Sequence, residues 1–171
     1  MLSLIIFIPL IAALGLLMVS RDNTAMIKVV GVGAAGASLS LSLWLLFSFD
    51  TASSEMQFIQ MFHWVPALHI NYLVGVDGIS LWMVVLTSFL GLIAILFSFN
   101  QKEGFRNFMS LMLALEAGTL GVFLALDTIL FYVFWELMLV PTYFLIGVWG
   151  EGRRVYATMK FVIFTLVGSL L

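Results

Sequence analysis

Long runs of apolar residues alternate with short polar connections along this chain of 171 residues. Most runs are close to the roughly 20 residues that a helix needs to cross the hydrocarbon core of a bilayer. The pattern therefore predicts an all-α fold, a polytopic bundle of about six transmembrane helices. We predict spans at Leu2–Val19, Val29–Phe49, Ile79–Phe99, Asn107–Leu126 and Asp127–Gly147, with a sixth span starting at about Ala157.

Only one connection is long, from Asp50 to about Gly78. Alternating stretches such as HINYLVGV predict an ordered external loop with β-hairpin character. Asp77 lies just before the third span, and either Asp77 or Ser80 is expected to cap that helix. The sixth run has about 15 residues, fewer than the roughly 20 that a span needs, so we expect the chain to be a piece of a longer protein.

Small residues predict where the helices pack closely. Spacings of four between Ala114 and Gly118, and between Ala117 and Gly121, are typical of tight packing between membrane helices. A similar small-residue face is predicted on the second helix. Its expected members are Gly31, Gly33, Gly36, Ala37 and Ser40.

The composition agrees with a membrane protein. Hydrophobic residues make up 63% of the chain, charged residues 9%, and the mean hydropathy is +1.18. Soluble domains have roughly 45–50% apolar and about 25% charged residues. We therefore predict an integral, multi-pass membrane protein with the lipid bilayer as its solvent.

Several kinds of function are disfavoured by composition. The chain has no cysteine, so it can supply neither a disulfide nor the thiolates of an iron–sulfur cluster or zinc site. Its two histidines, His63 and His69, both fall in the external loop, where we expect surface positions. No basic tract is present, and we expect no nucleic acid partner.

The positively charged residues predict an orientation. Six of the seven basic residues fall in the three short connections between spans, and none falls in the long loop or beside Asp127. By the positive-inside rule, the short connections face the cytoplasm and the N-terminus lies outside. The six residues are Arg21, Lys28, Lys102, Arg106, Arg153 and Arg154.

One acid, Glu136, lies in the middle of the fifth apolar run. A charge at this depth costs on the order of 2.5–3.5 kcal/mol on insertion scales, and such residues usually serve a proton or ion path. Pro141 removes a backbone donor five residues later and should bend the helix. Tyr132 and Tyr143 fall on the same side as the acid. We therefore predict a polar seam that could carry protons, the alternative being a buried acid satisfied by a neighbour.

Two further ionisable residues lie within predicted spans, Glu116 in the fourth and Lys160 in the sixth. The fourth and fifth helices run in opposite directions, so Glu116 and Glu136 should both lie near the middle of the bilayer. Glu116 could instead serve only in hydrogen bonding between helices. Lys160 could reach back to the interface, or it could pair with an acid in a lateral relay.

Two stretches resemble a known family. LVGVDGISLWMVVLTSFL resembles the start of the third helix in the antiporter-like subunits of respiratory complex I. FYVFWELMLVPTYFLIGVWGEGRRVYATMKFVIFTLVGSLL resembles their fifth helix and the start of their sixth. The resemblance covers essentially the whole chain as the N-terminal third of a family member, and it is strongest to the branch that includes chain M of the bacterial enzyme.

The resemblance implies a proton-translocating subunit of about 14 helices built on two inverted repeats. Residues 1–106 would hold the first three helices, and residues 107–171 would begin the first repeat. The family's glutamates in helices 5 and 4 match Glu136 and Glu116, and Lys160 matches a lysine near the start of helix 6. The family's main lysine partner, in helix 7, falls beyond this sequence.

The resemblance also implies partners and cofactors. The partners would be other membrane-arm subunits of a complex I-like enzyme in the bacterial inner membrane. No cofactor is expected in this chain, and NAD(H), FMN, iron–sulfur clusters and quinone would belong to partner subunits. Two relatives share the motif, the Mrp-type cation/proton antiporters and the membrane-bound hydrogenases. An alternative of another class is a structural scaffold without a proton path.

Overall fold

Six helices and a two-stranded hairpin make up the fold of the computed structural model, which describes residues 1–53, 55–65, 70–101 and 103–170. A short 3₁₀ turn, Ser98–Asn100, extends the third helix. Lys102 and His69 lie outside the described residues. The elements are α1 (Leu2–Met18), α2 (Thr24–Ser48), β1 (Gln57–Val65), β2 (Ile70–Val76), α3 (Gly78–Phe97), α4 (Phe105–Leu124), α5 (Thr128–Trp149) and α6 (Arg154–Leu170).

All six predicted helices form, which confirms the fold class. Among the described residues, α2, α4, α5 and α3 with its 3₁₀ turn are long and apolar enough to cross a membrane, while α1 is a shorter apolar helix. The count of six spans therefore stays a prediction. The chain is an integral membrane protein of the all-α class.

Capping explains two of the boundaries that differ from the prediction. The second helix begins at Thr24 rather than Val29, because the Asn23 side chain accepts a hydrogen bond from the backbone N–H of Met26 at 3.1 Å. The fifth begins at Thr128 because Asp127 caps it. An apolar run marks where a helix lies in the membrane, whereas a capped helix continues into the polar flank.

Helix α4 lies at the centre of the bundle and packs against α1, α2, α3 and α5. The predicted small residues make the contact with α5. A Cβ at Gly118 would lie 3.0 Å from the Cβ of Met138, and one at Gly121 would collide with the Phe134 ring. Because Gly118 and Gly121 have no side chain, α5 can approach α4 closely at these two positions.

The predicted small-residue face of α2 is only partly correct. Gly31 is buried against Met109 of α4, but Gly33 and Gly36 have no atom within 4 Å of the position a Cβ would take. The buried side instead includes Ala34, Ala35, Ser38 and Ser42. Gly33, Ala37 and Ser40 also share one helix face by their spacing, but the helix is rotated so that a different face, which begins at Gly31, packs against its neighbours.

A buried hydrogen bond joins α2 to α3. The hydroxyl oxygens of Ser42 and Ser88 lie 2.9 Å apart, and both side chains are fully buried. Each hydroxyl also lies within hydrogen-bond distance of a carbonyl of its own helix, at Ser38 and Val84. Both polar groups are thus satisfied within an apolar bundle.

The predicted hairpin is present, with β1 and β2 antiparallel and His63 opposite Asn71. His63 is exposed, as expected, and its Nδ1 lies 2.9 Å from Asn71 Oδ1. The hairpin closes one end of the bundle. The backbone N–H of Leu126 donates to the carbonyl of Leu73 at 2.9 Å, which fixes β2 beside the connection between α4 and α5.

The hairpin also holds the start of α1. The Ser3 hydroxyl donates to Gln60 Oε1 at 2.7 Å, and the Tyr72 hydroxyl donates to Ser3 Oγ at 3.0 Å. Burial raises the pKa of Tyr72, and the hydrogen bond with Ser3 offsets part of that rise. The tyrosine therefore stays protonated and remains a donor over the physiological pH range.

The short connections lie at the opposite end of the bundle. Arg106 donates to the carbonyl of Val19 at 2.9 Å, and the Trp149 indole N–H donates to the carbonyl of Glu103 at 2.8 Å. The connections that carry the basic residues thus meet at one end, away from the hairpin. Which end faces the cytoplasm stays a prediction from charge.

Candidate functional site

Glu136 lies in the middle of α5, half-buried, and faces α6. Its Oε1 accepts a hydrogen bond from the Ser169 hydroxyl at 2.9 Å. The same hydroxyl oxygen lies 3.1 Å from the carbonyl of Leu166. Because a serine has one hydroxyl proton, Ser169 can give it to the glutamate or to its own helix, with a small rotation between the two.

An open cleft of about 460 Å³ lies between α5 and α6 beside this hydrogen bond. Ser169 and Tyr132 line the cleft, together with Thr165 and Trp135. Trp135 stacks on Phe131, and its indole N–H is buried without a hydrogen-bond partner among the described residues. The cleft therefore combines an apolar wall with several side chains that can donate or relay a proton.

The two tyrosines of the predicted seam lie in separate clefts. Tyr132 lines the cleft beside Ser169, whereas Tyr143 lines a smaller one of about 230 Å³ with Thr158. Both clefts are formed by α5 and α6. The predicted polar side of α5 thus faces α6, with Glu136 between the two tyrosines along the helix.

Pro141 lies within α5, which continues as one helix from Thr128 to Trp149. A proline has no backbone N–H, so the carbonyl one turn earlier, at Leu137, loses its helical donor. The Thr142 hydroxyl donates to the neighbouring carbonyl of Met138 at 2.8 Å. The proline thus changes the backbone hydrogen bonding next to Glu136 without ending the helix, and the predicted bend stays a prediction.

Glu116 is almost fully buried on α4, with 5% of its surface exposed. Its carboxyl group lies over Gly91 of α3. A Cβ at Gly91 would lie 2.8 Å from Glu116 Cδ and 3.0 Å from each carboxyl oxygen. Neither oxygen has a hydrogen-bond partner among the described residues.

The two acids lie at similar depth but face different helices. Gly118 is beside Met138 and Gly121 beside Phe134, so α4 and α5 run antiparallel with Glu136 opposite residues 119–120. This register offsets Glu116 and Glu136 by about four residues, or about 6 Å along the helix axes. Glu136 faces α6, whereas Glu116 faces α3, so the acids belong to two separate sites.

Lys160 is exposed on α6, with its Nζ 5.9 Å from the centre of the Tyr156 ring. Ser169, the partner of Glu136, lies nine residues further along the helix, or about 14 Å. No ion pair of Lys160 is formed within the part of the chain that the structure describes. Lys160 and Thr165 line the same open cleft of about 520 Å³, and Thr165 also lines the cleft beside Ser169.

Two residues of these sites were not predicted. Ser169 lies in the apolar run FVIFTLVGSLL, where a lone hydroxyl was the available signal. Gly91 is one of several small residues in its apolar run, and its role beneath Glu116 depends on which face of α4 turns toward α3. The rotation of α4 about its own axis, which decides this, cannot be read from residue spacing alone. The described residues contain no group of three or more metal-ligating side chains.

The segment that contains Glu136 matches a known protein family. Residues 125–171, which include Glu136, Lys160 and Ser169, match the family model described as NADH:quinone oxidoreductase/Mrp antiporter, TM. The matched segment begins at the end of α4 and covers all described residues of α5 and α6.

Curated relatives match almost the whole chain. Subunit M of NADH-quinone oxidoreductase from Rhodobacter capsulatus is 42% identical over 177 residues, covering 100% of this chain and 34% of the relative. Subunit M of F(420)H(2) dehydrogenase from Methanosarcina mazei is 39% identical over 171 residues, covering 98% of this chain and 34% of the relative. The chain thus spans about a third of the length of these relatives.

Solved structures agree with the sequence relatives. A chain of respiratory complex I from Thermus thermophilus with bound NADH matches with a TM-score of 0.84 and 29% identity, covering 99% of this chain and 34% of that one. A chain of the archaeal membrane-bound sulfane sulfur reductase matches with a TM-score of 0.75 at 19% identity, which shows the fold alone.

Fold, family model and relatives together show that the chain resembles about a third of an antiporter-like membrane subunit of complex I. Several of its bacterial relatives, including those from Rhodobacter capsulatus and Rickettsia typhi, are subunits M of NADH-quinone oxidoreductase. The predicted resemblance to complex I is confirmed, as is the assignment to an integral membrane protein with bacterial relatives.

Proposed function

We propose that the chain forms part of a membrane-arm subunit that translocates protons in a complex I-like enzyme. The observation that carries this proposal is the half-buried Glu136, whose carboxylate accepts a hydrogen bond from Ser169 beside a cleft between α5 and α6. An acid at membrane depth is costly and usually serves transport. Here its immediate partner is a hydroxyl that has a second acceptor within reach, the carbonyl of Leu166.

The proposed mechanism is reversible protonation of Glu136. When the acid is ionised, the Ser169 hydroxyl donates to it, and this charge-assisted hydrogen bond stabilises the carboxylate. When the acid takes up a proton, the hydroxyl can turn to the carbonyl of Leu166. The resemblance implies a lysine of the complete subunit as the cation partner, and the open cleft beside Ser169 is wide enough for such a side chain.

Glu116 and Lys160 take supporting parts in this proposal. Glu116 lies at similar depth on the neighbouring helix and is the second acid within a helix of residues 107–171, the start of the proposed translocation repeat. Lys160 lies in the first half of α6, nine residues before Ser169, where its positive charge can act on a proton in the clefts along this helix. Of the three candidates, Lys160 has the weakest support, because it is exposed and about 14 Å along α6 from the partner of Glu136.

Redox chemistry is assigned to partner subunits. The relatives are named as subunits of oxidoreductases that act on NADH or on F(420)H(2), so the same kind of membrane subunit serves different electron donors. We propose that NAD(H), FMN, iron–sulfur clusters and quinone bind to those partners. Electrostatic change at the redox module would then alter the pairing of Glu136.

A second candidate is a subunit of an Mrp-type cation/proton antiporter, because the matching family model includes those proteins. The two functions differ in their energy source. A complex I-like subunit moves protons only when the donor is oxidised, whereas an antiporter exchanges sodium for protons without a redox reaction. Measuring proton movement in vesicles with donor alone and with a sodium gradient alone separates them.

The first testable prediction is the effect of Glu136→Gln in the complete assembly. Glutamine keeps the size and polarity of the side chain but cannot exchange a proton. We expect proton uptake by inverted membrane vesicles, measured during donor oxidation, to fall about tenfold or more, which corresponds to at least about 1.4 kcal/mol in the barrier.

The matched control is Glu151→Gln, which changes an exposed acid in the connection between α5 and α6. This variant should translocate protons at the wild-type rate. If Glu136→Gln also keeps the wild-type rate while both variants assemble normally, the chain is a scaffold and the proposed proton path is wrong.

A further inference from the structure

A second polar site lies between α3 and α4, on a different face of the bundle from the cleft beside Ser169. It is an open cavity of about 280 Å³ whose lining includes Thr87, Gly91, Glu116 and Thr119. Glu116 is the one acid that lines this cavity, and its side chain is buried. Both of its carboxyl oxygens lack a hydrogen-bond partner among the described residues. This arrangement needs a ligand or a proton.

The lining does not supply a compensating charge. The Thr119 hydroxyl donates to the carbonyl of Leu115 in its own helix at 2.8 Å. Leu90, Ala94, Met112 and Leu115 form much of the remaining wall. An ionised carboxylate in such surroundings would be strongly disfavoured, because nothing nearby offsets the loss of its hydration.

The helices packed against α4 bring no cation close to Glu116. Helices α1 and α3 carry no titratable side chain. Lys28 of α2 lies over the Phe99 and Phe105 rings, next to the start of α4. Arg106 lies ten residues from Glu116, or about 15 Å along the helix, and donates to the carbonyl of Val19.

The remaining titratable neighbours face elsewhere. On α5, Glu136 turns toward Ser169, and Tyr132 and Tyr143 line the clefts toward α6. Tyr72 of β2 donates to Ser3 at the hairpin end. No charged group of the described residues therefore competes with a proton for the Glu116 carboxyl group.

We propose that Glu116 forms a second proton-binding site that holds its proton at rest, with its carboxyl group buried beside the cavity between α3 and α4. Gly91 is the positioning residue of this site, because its missing side chain makes room for the carboxyl group. The proposal does not depend on proton translocation by the chain, since a buried carboxylic acid can hold a proton whether or not that proton moves during turnover.

The proposal makes Glu116 a target for a hydrophobic carbodiimide. In this reaction, the carboxyl proton moves to a nitrogen of dicyclohexylcarbodiimide and the carboxylate oxygen adds to its central carbon. The acyl group then shifts to the nitrogen to give a stable N-acylurea. The whole reagent is added and nothing leaves, so the product is found by the mass of the peptide that contains Glu116.

The test treats membranes that contain the assembled protein with dicyclohexylcarbodiimide or with a water-soluble carbodiimide and maps the adducts by mass spectrometry. We expect the hydrophobic reagent to label Glu116 and the water-soluble reagent to label the exposed Glu103 and Glu151 instead. Raising the pH of the reaction should slow the labelling of Glu116. Glu116→Gln removes the adduct, and Glu136→Gln leaves it in place.

The variant Gly91→Ala tests the positioning role. Its Cβ would displace the Glu116 carboxyl group, so the labelling rate should change at least threefold. Gly33→Ala is the matched control, because its Cβ meets no atom within 4 Å, and it should label at the wild-type rate. An unchanged rate in a Gly91→Ala protein that assembles normally would refute the positioning role.

The wild-type protein alone can overturn the main proposal. If the hydrophobic reagent leaves Glu116 unmodified while the water-soluble reagent labels Glu103 and Glu151, the acid is either ionised or closed off from the lipid. Because the readout is a covalent adduct, its outcome is independent of the proton-uptake measurement on Glu136→Gln. Failure of one proposal therefore does not imply failure of the other.

Discussion

Two acids within neighbouring helices, one half-buried and one buried, are accommodated in different ways. Glu136 has a hydroxyl partner and lies beside an open cleft, whereas Glu116 has a glycine beneath it and no hydrogen-bond partner among the described residues. A partner that can donate stabilises the ionised acid, and an apolar enclosure stabilises the protonated one. The same residue type is thus suited to exchange a proton at one position and to retain it at the other.

Asp77 shows how a third acid serves structure instead. Its Oδ1 accepts from the backbone N–H groups of Ile79 and Ser80, at 3.1 and 2.7 Å, and the Ser80 hydroxyl accepts from the Asp77 N–H at 2.9 Å. These contacts, led by the Ser80 N–H, lower the pKa of Asp77 below its usual 3.8. The predicted cap of α3 is therefore confirmed, and both candidate residues take part.

The pH dependence of this cap follows from the sign of the shift. A lowered folded-state pKa means that the ionised Asp77 contributes stability above pH 3.8, and that the contribution is lost as the pH falls below that value. Asp77→Ala should cost about 0.5–2 kcal/mol of local stability at neutral pH. Amide exchange of Ser80 and Leu81 measures the loss.

Asparagine is the matched replacement, because it caps a helix without titrating. Asp77→Asn should keep most of the protection at neutral pH and remove its dependence on pH below 3.8. If Asp77→Ala exchanges as slowly as the wild type, the cap does not stabilise the start of α3.

At the scale of helices, the close contact between α4 and α5 sets the register of the two acids. Glycines at 118 and 121 let α5 approach, and Phe134 and Met138 occupy the space. Gly121→Ala should destabilise the protein by about 1–3 kcal/mol, because the new Cβ collides with a ring that is itself 5% exposed. Thermal unfolding in detergent is the measurement.

Gly33→Ala serves as the control for this pair as well, since α2 has free space at that position. It should be neutral or slightly stabilising, because alanine is a better helix former than glycine. Equal stability of the two variants would mean that α5 can move away from α4 at little cost, and the inferred register of the acids would lose its support.

Helices were predicted well because membrane spans have a strong apolar signal, but their partners were predicted less well. The spacing of Gly118 and Gly121 indicated a close contact, and that contact is present. On α2, a list of small residues included Gly33 and Ser40, which are exposed. Spacing shows that two residues share a helix face, whereas rotation about the helix axis decides what that face contacts.

For the whole molecule, the hairpin and the basic connections lie at opposite ends of the bundle. These 171 residues contain no cysteine, so a single introduced cysteine is the one thiol within them that can report the orientation. With a membrane-impermeant maleimide added from outside, Glu55→Cys should react, while Glu103→Cys and Glu151→Cys should react only after the membrane is opened. The reverse pattern would refute the orientation predicted from the basic residues.

The candidate site was predicted in outline and not in its contacts. Glu136 and Glu116 stand out in the sequence because charges are rare in apolar spans, and the antiparallel order of α4 and α5 gives their similar depth. Their separation into two sites depends on Ser169 and Gly91, whose neighbours are decided by tertiary packing. Lys160 was a reasonable candidate by type, but the structure leaves it exposed and about 14 Å along α6 from Ser169, the partner of Glu136.

The central claim is that Glu136 gains and loses a proton during turnover. The most direct measurement is the redox-induced infrared difference spectrum of the assembled enzyme in the carboxylic acid region. We predict a carboxyl band that changes when the donor is supplied, shifts in Ser169→Ala and disappears in Glu136→Gln. The same band, unchanged in Glu136→Gln, would contradict the claim.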